Sequence, residues 1–350
     1  MGHKGIHRYE THQTVLSHLN PLEDVRCWIE GLTSQKVVKE LIRTCHSPQG
    51  PMTVNERSKA VANFVQVALQ YLQQADNGPK EISFLPLYYA LLNLSKAYIA
   101  IGPYGHELDQ NRWHGASYDI GKNAGSLSDD FISLDNTGVI PLFYQTLTGE
   151  SVVKPANKKL DVKVRDFYSR IYGLTLEYKM TTKRESELIN FGVTTQVEKQ
   201  KERIVATPLN DWDHEQVNEV GVSKLQAFVG FTKVGPGATL AGKWCDRDDT
   251  VSLRKCLRPA MLYGFFSPDR TVYQSVPWSN EQLLFPEEIP LICALFHMSN
   301  VVRYNPDAFK KLTDSKGWPL LLALRTNGIY RFLLAFWSYV NQRSFYITVY

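Results

Sequence analysis

Apolar residues recur at helical spacing over much of the first hundred positions. Thr53 and Glu56 stand three residues apart, as in a capping box, and the apolar positions that follow keep an i, i+3, i+4, i+7 spacing until residues 77–78. A second, more apolar helix is predicted from Ser83 to Gly102. Because its apolar face is wide, we expect this helix to lie in the interior of the fold.

The pattern changes from about Val152 onward. Short β-prone runs, such as residues 225–234 and 260–266, alternate there with charged segments and turn clusters. Helical spacing returns over residues 287–303 and stops before Pro306, because a proline disfavours helix at the residue that precedes it. Further helix is predicted beyond that proline.

These patterns predict an α+β protein that is mainly helical. We assign residues 1–150 to a helical amino-terminal part and residues 151–285 to a mixed insert that contains strands. Residues 286–350 are predicted to form helices that pack on the amino-terminal part.

Composition places the chain among globular proteins. With 350 residues, of which 43% are apolar, the chain can bury a large core. A net charge of only +4 gives a weak overall field, so a nucleic-acid site would have to be a local patch. The five cysteines are widely spaced and indicate neither a disulfide framework nor a zinc site, and we expect no cofactor and no bound metal.

Two apolar stretches are long enough to consider as membrane spans. They cover residues 82–101 and 318–339, but Lys96 interrupts the first, and Arg325 and Arg331 interrupt the second. The amino-terminal residues also lack the apolar segment of a signal peptide. We therefore expect a cytoplasmic protein that makes no membrane contact.

The familiar catalytic signatures GxSxG, HExxH and GxGxxG are absent from the sequence. Residues 237–243, GATLAGK, match half of a phosphate-binding loop, but Trp244 stands where Ser or Thr must bind magnesium, so we interpret the match as accidental. Residues 211–215 gather three carboxylates and an imidazole, for which a charged turn is the favoured interpretation over a cation site.

The densest group of candidate functional residues follows the predicted central helix. Aromatic and cationic side chains are concentrated in a polar stretch at residues 103–118. An imidazole can move a proton to or from a ribose or phosphate oxygen near neutral pH, and a guanidinium can stabilise the charge on the phosphate. The candidate catalytic residues are His106, Arg112, His114 and Arg303, and the candidate binding residues are Lys96, Trp113, Tyr304 and Asn305.

The charged candidates also have structural explanations. His114 can anchor its loop through hydrogen bonds, and Lys96 can extend along its helix to solvent. Arg303 ends a helix, where a cation favours the dipole and bonds the last carbonyl groups. The alternative is that Arg303 approaches the loop of His114 and acts as a phosphate-binding fork.

Three segments resemble the bacterial YaaC-like family. They are residues 25–34, residues 87–115 (LYYALLNLSKAYIAIGPYGHELDQNRWHG) and residues 294–309 (ALFHMSNVVRYNPDAF). The resemblance implies no particular activity. It implies a cytoplasmic bacterial protein, and some relatives look like components of anti-phage defence loci.

The second segment also resembles HEPN domains, helical modules of which many are metal-independent ribonucleases. In those domains an arginine precedes the functional histidine by four to six residues. Here Arg112 precedes His114 by two positions, and Arg8 precedes His12 by four near the amino terminus. The resemblance therefore implies His114 as the counterpart of the HEPN histidine, with its arginine partner displaced.

These observations leave several functions open. In the first, the chain is a partner-binding or regulatory component of a bacterial anti-phage defence or stress system. Its expected partner is a protein encoded nearby, and RNA is a second candidate. A homodimer is expected by analogy. In the second, it is a metal-independent HEPN-like ribonuclease that uses His114 with Arg112 or Arg303. A third is a sensor whose insert binds a nucleotide or a phage protein.

Overall fold

The computed structural model describes residues 12–17, 21–46, 50–119, 127, 129–153, 159–221, 231–234, 238–246, 264–266, 271–275, 285–342 and 344–349. All helices, strands and contacts given below lie within these residues.

The α-helices, in chain order, are α1 (Pro21–Glu30), α2 (Gln35–Cys45), α3 (Val54–Asn77), α4 (Phe84–Ile101), α5 (Val139–Thr148), α6 (Val164–Tyr168), α7 (Thr175–Thr182), α8 (Asp211–Val220), α9 (Glu288–Tyr304), α10 (Pro306–Thr313), α11 (Trp318–Ala323) and α12 (Ile329–Asn341). A π-helical turn, Leu324–Gly328, joins α11 to α12. The capping box predicted at Thr53 and Glu56 is present at the start of α3.

The strands, in chain order, are β1 (His12–Ser17), β2 (Ala116–Asp119), β3 (Phe131–Asp135), β4 (Lys159–Lys163), β5 (Leu188–Glu198), β6 (Lys201–Pro208), β7 (Thr232–Lys233), β8 (Leu240–Ala241), β9 (Cys245–Asp246), β10 (Gly264–Phe266), β11 (Thr271–Ser275) and β12 (Ser344–Val349). Of the two β-prone runs, residues 225–230 and 260–263 lie outside the described residues, and the remaining residues contain β7 and β10.

Within the described residues the strands form three sheets. β1 and β12 pair in parallel, and β2, β3 and β4 form an antiparallel sheet in that order. The boundary predicted at residue 150 falls between two neighbouring strands of this second sheet. The third sheet has the order β10-β11-β5-β6-β8-β7, with β9 also paired to β6. The mainly helical α+β class, with strands between helical amino- and carboxyl-terminal parts, is confirmed.

Helix α4 lies at the centre of the helical part. It contacts α3 and α5 from the amino-terminal part and α9 and α12 from the carboxyl-terminal part, so these two parts pack together. The helix is apolar and long enough to cross a membrane, but 78% of it is buried by the surrounding protein. The expectation of an interior helix is therefore confirmed.

The carboxyl end of α4 is held by a buried arginine. Arg57, from α3, donates from its guanidinium to the carbonyl oxygens of Ala100 at 2.9 Å and Ile101 at 3.2 Å. It also donates to the carbonyl of Gly102, the residue at which the helix was predicted to end. These bonds satisfy carbonyl groups that have no partner within the helix.

Candidate functional site

The loop that carries His114 is held by a close contact between two glycines. Gly115 has a φ of +74° and Gly138, which precedes α5, has a φ of +113°, a region that favours glycine. A Cβ at Gly115 would lie 2.5 Å from Cδ of Pro141. The loop therefore packs directly on the first turn of α5, where the N–H of Ile140 donates to the carbonyl of His114 at 3.0 Å.

His114 pairs with a fully buried tyrosine of α4. Its Nδ1 is hydrogen-bonded to the hydroxyl of Tyr88, and the two rings stack with their centroids 5.4 Å apart. Burial raises the pKa of the Tyr88 phenol well above its ordinary value, so this hydroxyl keeps its proton. It has no other partner among the described residues, and a buried O–H without an acceptor is costly. We therefore assign Tyr88 as the donor and Nδ1 as the acceptor.

This assignment determines the tautomer of neutral His114. Because Nδ1 accepts a hydrogen bond, the ring proton lies on Nε2. Within the described part of the chain Nε2 has no hydrogen-bond partner, and it is not sealed from solvent. Neutral His114 therefore offers a ligand an N–H donor and not a basic nitrogen.

Two cationic side chains, on two different helices, lower the pKa of His114. The pKa of His114 is lowered first by burial and then by the positive charges of Lys96, from α4, and Arg303, from the end of α9. Phe296, seven residues before Arg303 on the same face of α9, packs on the imidazole with ring centroids 6.1 Å apart, so this face of α9 is turned toward His114. We define the His114 cluster as Tyr88, Tyr89, Lys96, His114, Phe296 and Arg303, whose aromatic members pack around the imidazole.

Lys96 lies on a stripe of α4 that reaches solvent. Tyr89, Asn93 and Lys96 follow one another at i, i+4 and i+7, a spacing that places them on one face of the helix. The Nζ of Lys96 lies 5.8 Å from the ring centroid of Phe64, and burial lowers the pKa of the ammonium group. Among the described residues Lys96 forms no ion pair, so its charge is uncompensated there.

Arg303 keeps part of its guanidinium available. Its Nε donates to the carbonyl of Ser299 at 3.0 Å, and its Nη2 donates to Oδ1 of Asn300 at 3.4 Å. Ser299 stands five residues before the end of α9, so this bond lies within the helix and does not reach its last four carbonyl groups. Nη1 has no hydrogen-bond partner in the described ranges, and no carboxylate there pairs with Arg303. The guanidinium carbon lies 4.9 Å from the centroid of the Tyr304 ring.

The model of one family, described as YaaC-like Protein, matches residues 30–338, a span that contains the whole His114 cluster. The chain belongs to the YaaC-like family. No curated protein and no solved structure is significantly similar to it. The match supports the YaaC-like resemblance drawn from the sequence, and nothing in the comparisons supports the resemblance to HEPN domains.

In this YaaC-like protein, Arg112 does not accompany His114. Arg112 is exposed, its Nε donates to the carbonyl of Asp109 at 3.0 Å, and its Nη2 lies 3.9 Å from the Asp109 carboxylate. It is not among the groups that shift the pKa of His114. The guanidinium that acts on His114 is therefore that of Arg303, and Arg8 lies outside the described residues.

His106 lies near the opposite end of α4 from Tyr88. A Cβ at Gly50 would lie 3.6 Å from Nδ1 of His106, and a Cβ at the neighbouring Gly105 would lie 3.2 Å from Cα of Ala100. Tyr88 and Ala100 are separated by ~18 Å along the helix axis. The structure therefore does not bring His106 into the His114 cluster.

The remaining candidate binding residues flank the cluster in sequence. Trp113 precedes His114 and Tyr304 follows Arg303, and both aromatic side chains are exposed. Asn305 is the residue at which α9 ends, and its backbone N–H donates to the carbonyl of Val301 at 2.9 Å. The contacts of Asn305 are those of a helix end.

A second polar cluster, on a neighbouring face of α9, was missed by the sequence analysis. Asp130 and His297 are fully buried, and Nε2 of His297 lies 3.1 Å from Oδ2 of Asp130. The hydroxyl of Tyr118 donates to the same oxygen at 2.7 Å. We call Tyr118, Asp130 and His297 the buried triad. No local signal could have found it, because 167 residues separate Asp130 from His297.

Two motifs weighed in the sequence have structural roles. The acidic residues 211–215 begin α8, where the carboxylate of Asp213 accepts hydrogen bonds from the backbone of Asn190 at 3.0 Å and from its side chain at 3.2 Å. The side chain of Asn210 caps the same helix. In the segment GATLAGK, Leu240–Ala241 form β8, which pairs with β6.

Proposed function

We propose that the YaaC-like protein binds the phosphate group of a ligand at the His114 cluster. The observation that carries this proposal is that Lys96 and Arg303 lie on two helices that both pack on His114, while neither cation forms an ion pair within the described ranges. A partly buried cation is costly unless it is paired. A phosphate would accept hydrogen bonds from all three groups and would compensate both charges.

The tautomer of His114 favours binding over cleavage. Metal-independent cleavage of RNA requires a base that takes the proton of the 2′-hydroxyl. In His114, Nδ1 is already bonded to Tyr88 and Nε2 carries the ring proton, so neutral His114 does not supply that base. The HEPN-like ribonuclease is kept as a second candidate because a guanidinium and an imidazole N–H at one site could stabilise the negative charge that develops on a phosphate during cleavage.

The cellular setting that we propose is the one that the resemblance to the YaaC-like family implies, and the family match itself names no function. In this setting the protein is a cytoplasmic component of a bacterial anti-phage defence or stress system. It acts through a protein partner encoded nearby and, by analogy with HEPN-like modules, as a homodimer. Binding of a phosphate-bearing ligand at the His114 cluster would regulate that partnership.

A titration with pyrophosphate, followed by NMR of ¹³C-labelled histidine, tests the site. Pyrophosphate should shift the Cε1–H signal of His114 in a saturable manner, because a bound anion would lie next to the ring. Arg303→Ala should weaken binding about tenfold or more, since a hydrogen bond to a charged group contributes about 1.5–3 kcal/mol. Arg112→Ala is the matched control and should leave the affinity unchanged, because Arg112 faces solvent.

Two outcomes would contradict the proposal. One is the absence of a saturable shift, and the other is an equal loss of affinity in the Arg303 and Arg112 variants.

Incubation of structured RNA with the protein in chelator separates the two candidates. Intact RNA supports binding alone, whereas cleavage that His114→Ala abolishes, at an unchanged melting temperature, supports the ribonuclease.

A further inference from the structure

Exposed aromatic side chains border the His114 cluster on two elements. Among the residues whose side chains the structure describes, the exposed aromatic ones are Trp113 (50%), Tyr304 (67%) and Trp244 (36%). Two of the three directly adjoin His114 and Arg303 in sequence, one on the loop and the other at the end of α9. Exposed Trp and Tyr rings leave a large apolar surface in water and are enriched at binding surfaces.

A second aromatic surface belongs to the cluster itself. The rings of Tyr71, from α3, and Tyr89 stack with their centroids 5.3 Å apart, and both residues are half-buried. Tyr89 also lies edge-on to His114, with ring centroids 6.1 Å apart. Because Tyr89 shares its helix face with Lys96, aromatic rings and a cation follow one another along the same stripe of α4.

We propose that the ligand of the His114 cluster is a single strand of nucleic acid. Lys96, Arg303 and the Nε2–H of His114 would bind its phosphates, and Trp113 and Tyr304 would each stack on a base that flanks them. This proposal rests on the proposed phosphate binding. Bases in a single strand have free faces for stacking on aromatic side chains, whereas bases in a duplex already stack on one another.

The charges of the molecule favour a short contact with the strand. A net charge of +4 on 350 residues provides little long-range attraction, so the affinity must come from local contacts at the cluster. The logarithm of the binding constant should fall linearly with the logarithm of the salt concentration. If two cations neutralise two phosphates of a single strand, the slope should be about −1.4. An acidic peptide would engage the same cations but would have no bases for the exposed rings.

Fluorescence anisotropy with a labelled ten-nucleotide uridine RNA provides the test. The single strand should bind, and unlabelled pyrophosphate should compete with it at the same site. The same strand annealed to its complement, and an oligoglutamate peptide of equal charge, should bind at least fivefold more weakly. If duplex or peptide binds as well as the single strand while pyrophosphate still binds, the single-strand proposal is wrong and the phosphate site stands. If pyrophosphate does not bind, both proposals fail.

Aromatic variants test the stacking contacts separately from the charges. Trp113→Ala and Tyr304→Ala should each weaken binding of the single strand about fivefold or more. Trp113→Ala should leave pyrophosphate affinity unchanged, whereas Tyr304→Ala also removes the ring under the guanidinium of Arg303 and should weaken pyrophosphate binding to a smaller extent. Tyr304→Phe keeps the ring and should retain the affinity. Trp244→Ala is the control, because it removes an exposed ring from the strand-rich insert. Equal effects of the Trp113 and Trp244 variants, or no effect of Trp113→Ala and Tyr304→Ala, would overturn the assignment.

Discussion

Helix α9 contributes to two polar clusters that are built in opposite ways. In the buried triad, one oxygen of Asp130 accepts hydrogen bonds from both Tyr118 and His297, and Asp130 and His297 are fully buried, with Nδ1 of His297 left without a hydrogen-bond partner in the described part of the chain. In the His114 cluster, donors and positive charges meet without a carboxylate among the described residues, and the side chains of Lys96, His114 and Arg303 are only partly buried. A carboxylate shared by two donors away from water supports the fold, whereas donors without an acceptor that lie near solvent are available for a ligand.

The largest expected effect comes from breaking the buried triad. Asp130→Ala removes the acceptor shared by Tyr118 and His297 and leaves the fully buried imidazole of His297 without it. The free energy of unfolding should fall by about 3–5 kcal/mol, measured by urea denaturation. Asp135→Ala is the control on the adjoining strand, because it breaks only a surface ion pair with Lys159 and should cost less than about 1 kcal/mol. An equal loss of unfolding free energy in the two variants would contradict the contrast between the two clusters.

A somewhat smaller loss of stability, together with a loss of binding, should follow from Gly115→Ala. The new Cβ would meet Pro141 at 2.5 Å on a backbone with a φ of +74°. Positive φ and overpacking together should lower the free energy of unfolding by about 3 kcal/mol. Because His114 would be displaced, pyrophosphate should no longer shift its NMR signal. Gly31→Ala, where a Cβ meets no atom within 4 Å, should keep both stability and binding.

The helices that frame the His114 cluster could be predicted because their signals are local. The capping box of Thr53 and Glu56 and the helix stop before Pro306 both depend on a few neighbouring residues. The wide apolar face of α4 likewise indicated an interior helix. The loop that follows an interior helix begins close to the core. This explains why His114 and Arg303 could be proposed as neighbours from the sequence.

The contacts that give each cluster its chemistry could not be predicted. The hydrogen bond between Tyr88 and His114 depends on how the loop after α4 packs on that helix. Nothing in the sequence around Tyr88 distinguishes it from a tyrosine that only fills the core. His297 lies within the apolar run of α9, and its partner Asp130 is distant in the chain. The parallel pairing of β1 with β12 was missed for the same reason, since pairing of distant strands leaves no local pattern.

The smallest expected effect concerns the titration of His114. Lys96→Met removes a positive charge that disfavours the imidazolium form and keeps a side chain of similar length. The pKa of His114, which burial and this charge now lower, should therefore rise toward its ordinary value. The measurement is an NMR titration of the His114 Cε1–H signal, assigned with His114→Gln. Lys59→Met, an exposed position on α3, is the control and should leave the titration unchanged.

The same variant should alter the dependence of stability on pH. In the wild type the pKa of His114 is lower in the folded protein than in the unfolded chain, where it is about 6.5. As the pH falls below that value the unfolded chain takes up the proton more readily, so His114 contributes a loss of stability toward acid. With Lys96 replaced, the loss between neutral pH and pH 5 should be smaller. An unchanged titration and an unchanged slope would show that the charge of Lys96 does not reach His114, and the phosphate site would then lose one of its two cations.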